Sequence, residues 1–105
     1  MIKVMLVDDQ TLVRQGVKSL LSLADSIDVV AEASDGQQAI ELIPQIAPDV
    51  VLMDMRMPVK SGLEAIQELN ALKQLPPTII LTTFDDDELV LAGVKAGARG
   101  YLLKD

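Results

Sequence analysis

The sequence predicts an α/β domain built on a doubly wound, five-stranded parallel sheet. Short apolar runs of strand length alternate along the chain with segments whose apolar residues recur at helical spacing. The run Asp49–Met53 is the most continuously apolar of them, as expected for a parallel strand covered on both faces. The chain has 105 residues and 50% of them are hydrophobic, which is enough for one domain with its own core.

The first half of the chain alternates strand, helix, strand and helix. Ile2–Val7 is the first predicted strand, and apolar residues recur at helical spacing between residues 12 and 21. Asp28–Ala33 is the second predicted strand. Ser34–Gly36 predicts a turn and the N-cap of the next helix, which we expect Pro44 to end or kink near its last turn.

The second half continues the same alternation. Asp49–Met53 is the third strand, and Ser61–Glu64 has the spacing of a capping box that begins a helix. Pro76–Thr82 is the fourth strand. Asp85–Gly97 is predicted to be a helix, with acidic residues at its positive end and a glycine at its C-cap. Gly100–Leu103 is the fifth strand. We assign the acidic run to the helix dipole and give it no catalytic role.

Residues 1–105 form one domain in this prediction, and the chain stops directly after its fifth strand. A sheet of this kind normally has one more helix over its last face. We therefore expect a domain truncated after the fifth strand, with the last helix absent from this chain. If the strand order is the flavodoxin-like 2-1-3-4-5, strands 1 and 3 are neighbours where the order reverses.

Composition excludes several kinds of chemistry. The chain has no cysteine and no histidine, so disulfides, thiolate sites and imidazole catalysis are ruled out. A formal net charge of -7 disfavours direct nucleic-acid binding by this segment. The chain has neither a signal-peptide pattern nor an apolar run of the roughly 20 residues that a membrane span needs. We expect a cytoplasmic protein that does not bind membranes.

Polar residues follow the carboxyl ends of four predicted strands. Asp8 and Asp9 follow the first strand, Asp54 the third and Lys104 the fifth, while Thr82 ends the fourth. These ends meet at one edge of a parallel sheet, where doubly wound proteins bind ligands. Three carboxylates in one crevice repel one another, and a hard divalent cation such as Mg²⁺ relieves that repulsion.

The same group of residues suits a phosphoryl group. An ammonium, a hydroxyl and a bound cation together match the negative oxygens of such a group. Because neither histidine nor cysteine is present, the plausible nucleophile is a carboxylate, which would form an acyl phosphate. Asp54 is the best candidate, since it ends the most buried strand.

Each residue also has an ordinary structural interpretation. An aspartate pair after a strand commonly closes a turn or caps a helix, and threonine is favoured in strands. A lysine near a chain end is commonly a surface residue, and Tyr101 could be a half-buried core residue. The coincidence of Asp8, Asp9, Asp54 and Lys104 at matching strand ends favours a functional site.

The chain resembles, over its whole length, the receiver domain of two-component response regulators. The resemblance rests on four segments: MLVDDQTLVRQGVKSLL, DVVLMDMRMPVKSGLEAI, IILTTFDDDE and AGARGYLLKD. The closing GARGYLLKD and the LTTFDDDE segment are most similar to the NarL/FixJ type. Members of that type usually carry a C-terminal helix-turn-helix domain that binds DNA.

The resemblance implies a role for each acid. Asp54 would accept a phosphoryl group from a phosphohistidine on a sensor histidine kinase. Asp9 and Asp54 would bind Mg²⁺ directly, with Mn²⁺ as an alternative, together with the backbone carbonyl of Arg56. Asp8 would act through a bound water. The domain would be a self-phosphorylating and self-dephosphorylating switch rather than a turnover enzyme.

The resemblance also implies how the signal leaves the site. Thr82 and Lys104 would bind the phosphoryl oxygens, and Tyr101 would turn inward as the threonine moves. A homodimer would form through helix 4 and strand 5, and DNA would be bound by a domain outside this chain. Side chains at Arg56 and Phe84 would tune the lifetime of the acyl phosphate. The family often has proline after the lysine, so the isomer of the Lys104–Asp105 peptide stays open.

Three other functions are compatible with parts of this pattern. A haloacid-dehalogenase-like phosphatase also uses a strand-end aspartate and Mg²⁺, but Arg56 stands where that class has its second aspartate. A degenerate receiver that only binds partners usually loses the acid pair or the lysine. A structural flavodoxin-like domain would be expected to carry a glycine-rich loop after the first strand, which this sequence lacks.

Overall fold

The computed structural model describes residues 1–83 and 86–104. Residues 84, 85 and 105 lie outside the described residues, and with them the predictions for Phe84, for the start of the acidic run and for the Lys104–Asp105 peptide. The described chain forms, in order, β1 (Ile2–Val7), α1 (Thr11–Leu21), β2 (Ile27–Ala33), α2 (Gly36–Ile46), β3 (Val50–Asp54), α3 (Gly62–Ala71), β4 (Thr78–Thr82), α4 (Asp87–Ala96) and β5 (Gly100–Leu103).

The five strands form one parallel sheet in the order β2-β1-β3-β4-β5, which confirms the predicted class and order. The register brings the carboxyl ends of the strands to one edge. Val7 is paired with Met53, so Asp8 and Asp54 come next on neighbouring strands. Thr82 is paired with Leu103, which places Lys104 just beyond it. The pairing of the strands therefore places Asp8, Asp54, Thr82 and Lys104 at the same edge of the sheet.

The core has two unequal halves, one on each face of the sheet. On one face, α2, α3 and α4 pack against residues of β1, β3 and β4, including Met5, Met53 and Ile80. On the other face, Val17 and Leu21 of α1 pack against a smaller apolar cluster. The middle of β3 is buried from both sides, which explains why its sequence is continuously apolar.

The helix starts predicted from side-chain capping are confirmed. The Asp35 carboxylate accepts a hydrogen bond from the Gln38 backbone N–H at 2.9 Å. Ser61 and Glu64 form both bonds of the capping box, each at 3.1 Å. These contacts satisfy backbone donors that have no partner within the helix.

Pro44 lies in the last turn of α2, where we expected it to end or kink the helix, and the helix continues for two more residues, to Ile46. Proline removes one backbone donor, but the residues after it can still make helical bonds to earlier carbonyls. The Ala47 N–H donates to the Ile43 carbonyl at 2.8 Å. The helix instead ends where Ala47 adopts a left-handed conformation with φ of 50°.

Two other predicted boundaries move inward. β4 begins at Thr78, not at Pro76, because the two prolines have no N–H to offer a neighbouring strand. Pro77 nevertheless accepts a hydrogen bond from the Val51 N–H at 2.9 Å through its carbonyl. α4 begins at Asp87, and Gly97 follows its last turn as predicted, with φ of 132°.

The face of the sheet that carries α1 is thinly covered near β5. Leu102 and Leu103 are 52% and 53% exposed, beside an apolar groove of about 280 Å³ between α1 and β5. Among residues 1–83 and 86–104, no helix has the length and apolar character that crossing a membrane would require.

Candidate functional site

The first acid of the site, Asp8, is held by its backbone and by one carboxylate oxygen. Its N–H donates to the Ala33 carbonyl on β2 at 3.1 Å, which fixes the direction in which the chain leaves β1. Its Oδ1 atom accepts a hydrogen bond from the Gln10 N–H at 2.8 Å. The residue at the N-cap of α1 is Gln10, and its side chain makes no capping bond. Asp8 and Asp9 therefore do not have the helix-capping role that is common for an aspartate pair after a strand.

Asp54 is the last residue of β3 and is buried, with 5% of its surface exposed. Lys104 places its ammonium between Asp54 and Asp8, with Nζ 3.2 Å from Asp54 Oδ1 and 3.0 Å from Asp8 Oδ2. The Lys104 backbone N–H donates to the Thr82 carbonyl at 2.8 Å, which fixes the base of this side chain. One ammonium thus contacts two buried carboxylates at the ends of two other strands and offsets one of their two negative charges.

The carboxylates of Asp8, Asp9 and Asp54 each bring an oxygen within 4.8 Å of the others. Asp8 Oδ2 is buried and, among the described residues, accepts no well-directed hydrogen bond, so its contact with Lys104 is an ion pair alone. A buried oxygen without a hydrogen-bond donor is costly, and a cation beside it removes that cost. Asp9 is exposed and gives the cluster a side open to solvent. These residues fit a hard divalent cation.

Burial and the contact between Asp54 and Lys104 have opposing effects on the pKa of each of these two groups. Burial and the neighbouring Asp8 charge raise the pKa of Asp54 above its usual value of 3.8, and Lys104 only partly opposes them. Burial by itself would lower the pKa of Lys104, but its contacts with Asp8 and Asp54 outweigh this effect and raise that pKa above 10.5. The lysine is therefore charged at neutral pH, and without a metal the Asp54 carboxyl binds a proton more readily than an exposed aspartate does.

We expect the metal-free chain to lose stability as the pH rises from 3.8 through the raised pKa of Asp54. A carboxyl group with a higher pKa in the folded state binds more protons when folded, so its contribution is most favourable below the unfolded value. Asp54→Asn removes this charge. In chelator, the variant should therefore be more stable than the unsubstituted chain at neutral pH, with the difference shrinking towards pH 4.

Urea denaturation followed by circular dichroism measures this difference across pH. Asp28→Asn, which neutralises an exposed carboxylate on β2, is the matched control and should show no such gain. An Asp54→Asn variant that is no more stable than the unsubstituted chain at neutral pH would contradict the expected direction of the effect.

Thr82 ends β4, the strand next to that of Asp54, and Tyr101 lies on β5, one strand further out. Thr82 is buried, and its hydroxyl donates to the Thr83 carbonyl at 3.2 Å. Tyr101, paired with Ile80 in the sheet, is 56% exposed and is not the half-buried core residue considered above. Among the described residues, neither side chain makes a hydrogen bond to the acids of the site.

The loop after β3 packs tightly against the site. The Gly62 N–H donates to the Met55 carbonyl at 3.1 Å and closes this loop. A Cβ atom at Gly62 would lie 1.9 Å from the Asp54 carbonyl oxygen. The start of α3 is therefore pressed against the backbone of Asp54, which needs a glycine at this position.

Arg56 links the loop after β3 to the segment before α4. Its Nε and Nη2 atoms lie 3.1 and 2.5 Å from Asp86 Oδ1, and the Thr83 hydroxyl donates to the other oxygen at 3.1 Å. The Arg56 hydrogen bonds hold the pKa of Asp86 below its usual value, against the opposing effect of burial. The assignment of the acidic run to the helix dipole is thus incomplete, because Asp86 pairs with Arg56.

Sequence reasoning missed two residues around the site. Arg14 donates to the Asp8 backbone carbonyl and pairs with Glu32 at 3.2 Å. Asp86 was interpreted as a helix-terminal acid. Residues 29–33 of β2 are apolar except for Glu32. This isolated charge was the available signal that Glu32 pairs with a basic residue such as Arg14. No comparable sequence signal pointed to the Arg56–Asp86 pair.

Fold and site together define a doubly wound α/β domain with a pocket of carboxylates and one lysine at the carboxyl edge of its sheet. The family model described as the response regulator receiver domain matches residues 4–105. The chain belongs to this family, and the resemblance found in the sequence is confirmed.

Individual relatives agree with this assignment. The chain is 46% identical over 103 residues to the transcriptional regulatory protein YdfI of Bacillus subtilis, covering 98% of this chain and 48% of the relative. It is 41% identical over 102 residues to the nitrate/nitrite response regulator protein NarL of Escherichia coli, covering 97% and 47%. The chain thus spans about half the length of the curated relatives it matches.

A solved structure gives the same result. The signal receiver domain of the putative response regulator NarL from Mycobacterium tuberculosis superimposes with a TM-score of 0.91 and is 38% identical, covering 99% of this chain and 84% of that one. Domains of this family are signalling switches and not, in general, turnover enzymes. The matches favour neither the phosphatase nor the purely structural alternative.

Proposed function

We propose that this receiver domain accepts a phosphoryl group on Asp54 from the phosphohistidine of a sensor histidine kinase. The observation that carries the proposal is the position of Lys104 Nζ, within 3.2 Å of both Asp54 and Asp8, at an edge where three carboxylates converge. A charged ammonium and a cation site beside one strand-end carboxylate suit a phosphoryl group better than any neutral ligand.

In the proposed reaction an Asp54 carboxylate oxygen attacks phosphorus, and the phosphorus–nitrogen bond of the phosphohistidine breaks. The bonding electron pair returns to the imidazole nitrogen, and Asp54 becomes an acyl phosphate. Lys104 and the Arg56 backbone N–H, 3.4 Å from Asp54 Oδ1, orient the carboxyl group. Hydrolysis by water later restores the carboxylate and releases phosphate.

Asp9 and Asp54 would hold Mg²⁺ directly, with Asp8 through water and the Arg56 backbone carbonyl as a further oxygen ligand. Mn²⁺ is the alternative ion, since it accepts the same oxygen ligands. The cation would neutralise the oxygens of the transferred group. Thr82 and Lys104 would contact the phosphoryl oxygens, which requires the Thr82 hydroxyl to leave the Thr83 carbonyl.

Several consequences outside the phosphoryl pocket are also proposed. Movement of Thr82 would let exposed Tyr101 turn inward and alter the surface of α4 and β5, through which two copies would pair. Arg56 would help to set the lifetime of the acyl phosphate.

The output would be regulation of transcription through a DNA-binding domain outside this chain, a proposal supported by the names of the relatives. Signal reception would take place in the cytoplasm.

Incubation with acetyl phosphate and Mg²⁺, followed by intact-mass measurement, tests the phosphorylation. The unsubstituted chain should gain one phosphoryl group, and Asp54→Asn or an excess of chelator should abolish the gain. Asp49→Asn, which changes a carboxylate at the opposite end of the same strand, is the matched control and should be phosphorylated normally. A gain that persists in Asp54→Asn would overturn the assignment of the acceptor.

A further inference from the structure

Arg14 connects the loop that carries two acids of the site to the neighbouring strand. It lies in the first turns of α1, and its side chain is 15% exposed. Its Nη1 atom donates to the backbone carbonyl of Asp8, and its Nε atom donates to Glu32 Oε1 on β2 at 3.2 Å. The two bonds use separate N–H groups of one planar guanidinium, so they fix its orientation.

The carbonyl that Arg14 binds belongs to the peptide group joining Asp8 to Asp9. The Asp8 side is already fixed by its N–H bond to Ala33 and by its carboxylate bond to Gln10. The carboxylate of Asp9 has no hydrogen bond within residues 1–83 and 86–104, and it is exposed. Its direction therefore depends on the plane of the peptide before it, which the Arg14 contact holds.

We propose that Arg14, oriented by Glu32, is a positioning residue for divalent-cation binding by Asp9 and its partners. This inference rests on the cation site of the proposed function. Without Arg14, the Asp8–Asp9 peptide can rotate, and the Asp9 oxygen leaves the cluster it forms with Asp8 and Asp54. Groups that orient metal ligands commonly change metal affinity by about 10- to 100-fold when they are removed.

The charge of Arg14 acts in the opposite direction from its positioning effect. A guanidinium near a cation site repels the ion, so removing the charge alone would tighten binding. Lys18 provides a matched control. It lies on the same helix and contacts the same glutamate, with Nζ 3.3 Å from Glu32 Oε2, but its hydrogen bond goes to that glutamate and not to the acid loop. A comparison of Lys18→Met with Arg14→Met therefore separates the effect of charge on cation binding from the effect of positioning.

Isothermal titration with Mg²⁺ and electron paramagnetic resonance with Mn²⁺ test the inference on the whole chain. We expect Arg14→Met to weaken binding about tenfold or more, and Lys18→Met to leave it unchanged or slightly tighter. Arg14→Lys keeps the charge but cannot reproduce the two bonds of the planar group, so it should also weaken binding. Circular dichroism confirms that each variant is folded before titration, and Arg14→Lys carries the test if Arg14→Met does not fold.

Folded Arg14→Met or Arg14→Lys proteins that bind either ion as tightly as the unsubstituted chain would overturn the positioning role. Equal weakening by Lys18→Met would overturn it as well, because Lys18 does not contact the Asp8–Asp9 peptide and the loss could not then come from holding that peptide. If the unsubstituted chain binds neither ion, this inference and the proposed cation site both fail. If it binds both ions but is not phosphorylated, the failure concerns the proposed phosphoryl transfer alone.

Discussion

Gly62→Ala is expected to destabilise the native state of this domain strongly. The added Cβ atom would lie 1.9 Å from the Asp54 carbonyl oxygen and 2.8 Å from its carbonyl carbon, and both are backbone atoms of the central strand. Neither the strand nor the start of α3 can move without breaking other contacts. We expect the free energy of unfolding to fall by about 4 kcal/mol or more, out of a typical total of about 5–15 kcal/mol. Urea denaturation followed by circular dichroism measures the loss.

Gly16→Ala makes the same chemical change where the structure leaves room. Apart from its chain neighbours and the backbone of its own helix, no heavy atom of the described residues lies within 4 Å of a Cβ built at Gly16, which is in the middle of α1. Alanine there should stabilise the domain by up to about 1 kcal/mol, since glycine is a poor helix former. A Gly62→Ala protein with a stability close to that of the unsubstituted chain would show that the loop after β3 can withdraw from Asp54.

Lys104→Met is expected to destabilise the metal-free domain by about 3 kcal/mol, because it leaves two buried carboxylates without their counter-ion. The Lys104 side chain is 10% exposed, and those of Asp8 and Asp54 are 1% and 8% exposed. Without the ammonium, the pKa of Asp54 should rise further. Mg²⁺ should restore part of the stability, because it can neutralise the same carboxylates.

Thermal denaturation with chelator and with Mg²⁺ measures both effects. The increase in Tm caused by Mg²⁺ should be larger for Lys104→Met than for the unsubstituted chain. Lys95→Met, at the exposed end of α4, removes an equal charge away from the pocket and should change neither value. A Lys104→Met domain as stable in chelator as the unsubstituted chain would mean that the two acids are neutralised by protons or by water.

The sequence was sufficient to predict the fold and the convergence of Asp8, Asp9, Asp54 and Lys104, because both depend on strand ends. Once Asp8 and Asp54 were placed after adjacent parallel strands, the register of the sheet brought them together. The glycine and serine signals at helix ends were equally local, and the capping box at Ser61 is confirmed. Element boundaries were predicted less closely where local rules compete, as at Pro44, where later residues continue the helical bonds.

Contacts between long side chains from distant segments could not be predicted in the same way. Arg14 could have pointed to solvent, as many arginines on helices do, and its choice of the Asp8 carbonyl depends on the distance between α1 and β2. The pair formed by Arg56 and Asp86 joins two loops whose contributing residues are 30 positions apart in the chain. The spacing of residues along the sequence does not indicate the distances between side chains of segments that are far apart in the chain.

Because Tyr101 is exposed, its fluorescence can report a change in its own surroundings. The chain contains one tyrosine and no tryptophan, so its near-ultraviolet absorbance and intrinsic fluorescence come almost entirely from this ring. The ring lies three residues before Lys104 and is 56% exposed in the structure. Inward rotation would transfer the phenol from water to protein surroundings and change its emission. The proposed inward turn of Tyr101 can therefore be followed in time without attaching a dye.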